Sequence, residues 1–125
     1  MRQTLMRNTF WLASCAAIAL TGAAHAASNQ IVIPLPMSSA VDIVKVTYAC
    51  DGIAEVQVSY INAPPVALAT LAFNNDFVVM ANVLAGSGAK YAGDHFIWWT
   101  KGNGADLYDL TKGENAPPIK CRQAP

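Results

Sequence analysis

The sequence predicts an all-β domain built as a small up-and-down barrel, and three observations point there. Apolar and polar residues alternate with a period of two in several segments beyond residue 40. Turn-forming clusters separate these segments at short intervals: Asp51-Gly52, Pro64-Pro65, Asn74-Asn75-Asp76, Gly86-Ser87-Gly88, Lys101-Gly102-Asn103-Gly104 and Lys112-Gly113. No segment shows a helical apolar face with caps. In one domain of this size, strands joined by short turns favour closure, because closure removes exposed strand edges. The chain has 125 residues, which fits a single domain.

Taken in order, residues 1–26 have the layout of a secretory signal. Arg2 and Arg7 form a basic start, an apolar stretch follows from Phe10 to about Leu20, and Ala24-His25-Ala26 supplies the small residues before a cut. The apolar run is short of the roughly 20 residues a membrane span needs. Cleavage after Ala26 is therefore expected. The alternative is a lipobox, Leu12-Ala13-Ser14-Cys15, in which Cys15 would be lipidated and anchor the chain to a membrane.

Removing Arg2 and Arg7 leaves six basic residues against 8 acidic ones, a formal charge of −2. No basic excess is present to neutralise phosphates, which argues against a nucleic-acid binder. Cys50 and Cys121 remain, and two cysteines in an exported chain most economically form one disulfide. Closing the 70 intervening residues would be worth about 4 kcal/mol by chain entropy.

Residues 27–39 contain Pro34 and Pro36 without helical period and read as an extended lead-in to a barrel domain at 40–125. Val44, Val46 and Tyr48 alternate with Ile43, Lys45 and Thr47; Ala54, Val56, Val58 and Tyr60 alternate with Glu55, Gln57 and Ser59. Further strands are expected at 66–73, 77–84, 95–100 and 105–110. A bond from Cys50, after the first strong strand, to Cys121 near the chain end would pin first strand to last.

Little in this pattern suggests catalysis. Ser87, Asp94 and His95 invite a triad, but adjacent residues on a strand point to opposite faces, so Asp94 is not expected to orient the imidazole. A Ser–Lys hydrolase would need a buried lysine of lowered pKa, and Lys101 sits in a glycine turn. A glycan hydrolase would need two convergent carboxylates, whereas the acids here are scattered one per turn. The chain has no P-loop, dinucleotide fingerprint or metal cluster, so no cofactor is expected. Tyr60, Phe73, Phe77, Trp98 and Trp99 could line a calyx for a small apolar ligand, although a barrel this small can be filled by its own side chains. The least ordinary stretch is 86–104. There a hydroxyl between glycines and a lysine before a glycine can meet at one end of a barrel; each alone is ordinarily a turn residue or a solvated charge.

Ser87-Gly88-Ala89-Lys90-Tyr91 resembles the S-G-x-x-Y motif of the MliC/PliC family, inhibitors of c-type lysozyme that are periplasmic or membrane-anchored. Trp99-Thr100-Lys101-Gly102 is similar to that family's second motif, and Tyr48-Ala49-Cys50-Asp51 to its opening. The resemblance implies an antiparallel barrel of about eight strands, c-type lysozyme as partner, and a loop that enters the enzyme's active-site cleft. Ser87 and Lys101 would then engage the two catalytic carboxylates, with Gly88, Lys90, Thr100 and Gly102 around them and Tyr91 packed beneath the loop. Lys90 stands where the family often has arginine, giving up a planar donor fork, and Gly104 where an acidic residue is common. The runner-up is a non-catalytic barrel that binds another protein or a small apolar ligand. Nothing in the sequence distinguishes a monomer from a homodimer.

Overall fold

The computed structural model describes residues 29–35 and 40–125. The expected signal segment, including Cys15, and part of the expected lead-in lie outside these residues. The chain divides into two units, Met1–Ile33 and Pro34–Pro125. Of the first, residues 29–33 are described and carry no regular secondary structure.

The second unit is a closed barrel of eight antiparallel strands in sequence order. They are β1 (Asp42–Cys50), β2 (Val56–Ala63), β3 (Val66–Phe73), β4 (Asp76–Val83), β5 (Ala89–Gly93), β6 (Phe96–Lys101), β7 (Gly104–Asp109) and β8 (Ile119–Gln123). Closure is made by β1 against β8, with Tyr48 opposite Gln123 and Cys50 opposite Cys121. The latter pair is disulfide-bonded across a separation of 71 positions, so the first strand is joined to the last. Cys50 lies within β1 and not beyond it.

Period-two alternation selects the inward set. Val56 and Val58 on β2, Ala69, Leu71 and Phe73 on β3, Val78 and Met80 on β4, and Leu107 on β7 are all buried, and so is Trp98 on β6. Aromatic rings fill the centre edge to face: Tyr48 meets Trp98 at 5.0 Å between centroids and Phe73 meets Phe96 at 5.3 Å. Their polar atoms bond to one another. The Trp98 indole N–H donates to the Tyr60 hydroxyl at 2.9 Å, which lies 3.0 Å from the Tyr48 hydroxyl. Burial pushes the Tyr60 hydroxyl far above the ordinary tyrosine range and raises Tyr91 as well.

The expected calyx is therefore corrected. Trp98, Phe73 and Tyr60 face inward, but Phe77 is 69% exposed, and Trp99 is on the opposite face of β6 from the fully buried Trp98. Two strands, β5 and β8, were not delimited by periodicity. Expected strand ends also shift: His95 precedes β6, and Leu110 opens a 3₁₀ turn, Leu110–Lys112, capped by the Asp109 carboxylate.

Candidate functional site

An up-and-down barrel sends alternate connections to the same end. The β4–β5 connection, carrying Gly86-Ser87-Gly88, and the β6–β7 turn, carrying Gly102 and Asn103, fall at one end because β5 and β6 pair directly. Their outermost registered pair is Ala89 opposite Thr100, and the Thr100 hydroxyl donates to the Ala89 carbonyl at 3.2 Å. One step further out, Gly88 lies against Lys101.

Gly88 is what permits this approach. It has φ +65°, and a Cβ there would sit 2.0 Å from the Thr100 carbonyl oxygen and 3.0 Å from Lys101 Cγ. Any other residue would push the two segments apart. Beyond it, the Ser87 carbonyl accepts from the Trp99 indole N–H at 2.8 Å. Lys101 Nζ rests 4.1 Å from the centre of the Trp99 ring, and Lys90 Nζ lies 4.9 Å from it. Ser87, Gly88, Lys101 and Gly102 are exposed, while Lys90 and Thr100 are half-buried. The structure thus brings together six of the seven sequence-selected residues on one surface. The seventh, Tyr91, points into the barrel, 5% exposed and 5.6 Å from the Tyr60 ring. It can support the loop only from below.

Chemically, this end offers a hydroxyl and an ammonium on adjoining turns, set on a rigid ladder. An open groove of about 830 Å³ continues from Trp99 and Lys101 along the outer face of β7 and β8, past Asp106, Lys120 and Arg122. Lys120 is tied to Asp106 at 2.9 Å, and that hydrogen bond raises its pKa.

Asp94 and His95 sit at the other end, separated from Ser87 by the whole of β5. The expected geometry is corrected here. Asp94 adopts φ 51°, which turns its carboxylate back to within 2.9 Å of His95 Nδ1. The pair exists but has no nucleophile, because Ser87 lies at the opposite end. Lys101 is exposed, unlike the buried base a Ser–Lys hydrolase requires. Among the described residues, no group of three or more His, Cys, Asp or Glu side chains is arranged to hold a metal, and no helix is long and apolar enough to cross a membrane.

Sequence reasoning missed Trp99 as a site residue. Two signals could have found it: Trp99 opens the Trp99-Thr100-Lys101-Gly102 motif, and as the neighbour of an inward Trp98 it must face outward.

The family model for "Membrane-bound lysozyme-inhibitor of c-type lysozyme" matches residues 48–116. A membrane-bound lysozyme inhibitor of C-type lysozyme from Cupriavidus necator is 37% identical over 86 residues, covering 67% of this chain and 69% of that protein. The protein of the same name from Pseudomonas aeruginosa is 37% identical over 93 residues, covering 73% of each. Among solved structures, Pseudomonas aeruginosa MliC, crystallised in complex with hen egg white lysozyme, superposes with a TM-score of 0.66 at 32% identity, over 78% of this chain and 98% of that one. PliC-St, the periplasmic lysozyme inhibitor of C-type lysozyme from Salmonella typhimurium, superposes at 0.54 and 26% identity, over 66% of this chain and 98% of that one. These relatives are inhibitors and not enzymes. With its motif residues on one barrel end and more than half its length matched, this chain belongs to the MliC family of lysozyme inhibitors.

Proposed function

We propose that the protein is an inhibitor of c-type lysozyme that inserts the loop carrying Ser87, together with Lys101, into the enzyme's active-site cleft. The observation that carries this reading is the seating of Gly88 against Thr100 and Lys101, which holds a hydroxyl-bearing turn beside an ammonium-bearing one. The two catalytic carboxylates of a c-type lysozyme keep different protonation states, one neutral and one ionised. A hydroxyl can donate to either form, and an ammonium pairs best with the ionised one in a partly desolvated cleft. Gly102, Lys90 and Thr100 frame the pair, and Tyr91 supports it from the core. The site works by occupancy and carries out no chemistry on the substrate. The protein is exported and acts in the periplasm after cleavage following Ala26; lipidation at Cys15 would instead anchor the same barrel to a membrane.

The test is lysis of sensitive cell walls by a c-type lysozyme with and without the exported protein. Lys101→Ala should weaken inhibition by about 2–5 kcal/mol, because a lysozyme carboxylate is then left buried and unpaired. A Ser87→Ala/Lys101→Ala double variant that folds normally should lose inhibition. A folded, oxidised parent protein without effect on the enzyme would overturn the reading and direct the search to a different protein partner.

A further inference from the structure

We propose that Trp99 is the positioning residue of the inhibitory end, a single indole that holds both members of the Ser87–Lys101 pair in place before any partner arrives. The proposal rests on the reading of that pair as the groups that enter the cleft. It does not rest on Trp99 touching lysozyme.

Three features converge on this side chain. The β5–β6 ladder stops at Ala89 opposite Thr100, so the backbone carbonyl of Ser87 lies beyond the last rung. The Trp99 indole N–H reaches that carbonyl at 2.8 Å and so extends the fastening of the loop by two residues. An indole nitrogen is a donor only and bonds the Ser87 carbonyl, and among the described residues the Ser87 hydroxyl makes no hydrogen bond. The same ring offers its π face to the Lys101 ammonium at 4.1 Å.

The choice of an aromatic anchor over a carboxylate has a chemical consequence. A carboxylate beside Lys101 would neutralise it and compete with the partner's own carboxylate. A ring face orients the ammonium and leaves its charge available. The acid across the strand from the ring follows this logic. Asp106 is the cross-strand partner of Trp99, yet its carboxylate is engaged by Lys120 at 2.9 Å. Among the described residues, neither Lys101 nor Lys90 makes an ion pair. A lysine side chain and a glycine-flanked turn are both mobile groups that would otherwise have to be ordered on binding, and fixing them beforehand raises affinity without a new contact.

Two variants of the exported, oxidised protein separate the two functions of the ring. Trp99→Phe keeps an aromatic face and removes the donor; Trp99→Leu removes both. NMR on the free protein gives readouts that need no lysozyme. In Trp99→Leu, the ring-current shift of the Lys101 ε-methylene protons should vanish, and the backbone order parameters at Ser87 and Gly88 should fall. Trp99→Phe should retain the shift and show the same fall in order. Inhibition should fall about tenfold to a hundredfold in Trp99→Leu and by less in Trp99→Phe, as expected for lost pre-organisation. A folded Trp99→Leu variant that inhibits like the parent, in an assay where Lys101→Ala is impaired, would overturn the role of Trp99 and leave the site intact. If Lys101→Ala also inhibits like the parent, the pair itself is wrong and this proposal falls with it. Unchanged Lys101 shifts in Trp99→Leu would overturn it independently of any enzyme.

Discussion

The two ends of the barrel carry opposite charge. The end bearing Ser87 holds Lys90, Lys101 and Arg122, with Lys45 on its half of β1, against Asp42 alone. The other end holds Asp51, Glu55, Asp76, Asp94, Asp109 and Glu114, against Lys112 alone. Asp106 and Lys120 pair with each other between them. Strand parity explains the segregation: the β1–β2, β3–β4, β5–β6 and β7–β8 connections all open on the same end, and each of them carries or borders an acid. The acids that look scattered along the chain are gathered by closure. A modest formal charge thus conceals a charge separation along the barrel axis, with Ser87 and Lys101 at its positive end. Such a field orients an encounter with a carboxylate-lined cleft more than it adds affinity.

The ends also differ in what holds them. The covalent clamp Cys50–Cys121 joins the last residue of β1 to β8 beside Ala105, and at the acidic end the 3₁₀ turn is capped by Asp109, which accepts from the Thr111 hydroxyl and backbone N–H. Those hydrogen bonds, the hydroxyl's foremost, lower the Asp109 pKa. At the basic end the fastening is by close backbone approach, the Thr100 hydroxyl's bond to the Ala89 carbonyl and one indole.

Replacing both cysteines, Cys50→Ala/Cys121→Ala, tests this division most severely. Stability should drop by about 4 kcal/mol by chain entropy, read from urea denaturation. The fraction that remains folded should inhibit like the parent, and lost inhibition in that fraction would show that the covalent closure of β1 on β8 also shapes the site. A smaller contrast comes from two glycines of similar φ, Gly88 at +65° and Gly52 at +75°. An added Cβ at Gly52 meets nothing within 4 Å, so Gly52→Ala should cost only about 1 kcal/mol of left-handed strain. At Gly88 it meets the Thr100 carbonyl, so Gly88→Ala should cost about 2–4 kcal/mol or open the loop, with inhibition falling in parallel. Equal costs in the two variants would remove close approach as the special property of the site. The smallest effect concerns the charge separation. Raising ionic strength shortens the screening length from roughly 30 Å at 0.01 M to about 8 Å at 0.15 M, which should slow lysozyme association several-fold. Lys90→Ala should reduce the low-salt association rate measurably, and Asp51→Asn at the far end should leave it nearly unchanged. The reverse ranking would mean that the acidic end leads the encounter.

Much of this architecture is determined by residues that are neighbours in the chain. The alternation from Val56 to Tyr60 sets which side chains share a face, and the punctuation by glycine, proline and asparagine sets where strands end, because both depend on local backbone geometry alone. Cys50 and Cys121, the two cysteines beyond the expected signal, admit one pairing with each other. The residues Ser87, Gly88, Lys101 and Gly102 are legible through their motifs. Tertiary structure decided what depends on partners distant in sequence. Ala89–Gly93 is short and poor in strand-forming residues, so β5 becomes a strand by pairing with β4 and β6. Closure turned Phe77 and Trp99 outward and Tyr91 inward, because alternation fixes that two sides exist without saying which one is inside. The positive φ of Asp94 brought a carboxylate to His95 that strand geometry alone denied. The bond from Trp99 to Ser87 spans twelve residues and exists only because two turns meet at one end of a closed barrel, a condition that no local pattern of residues encodes.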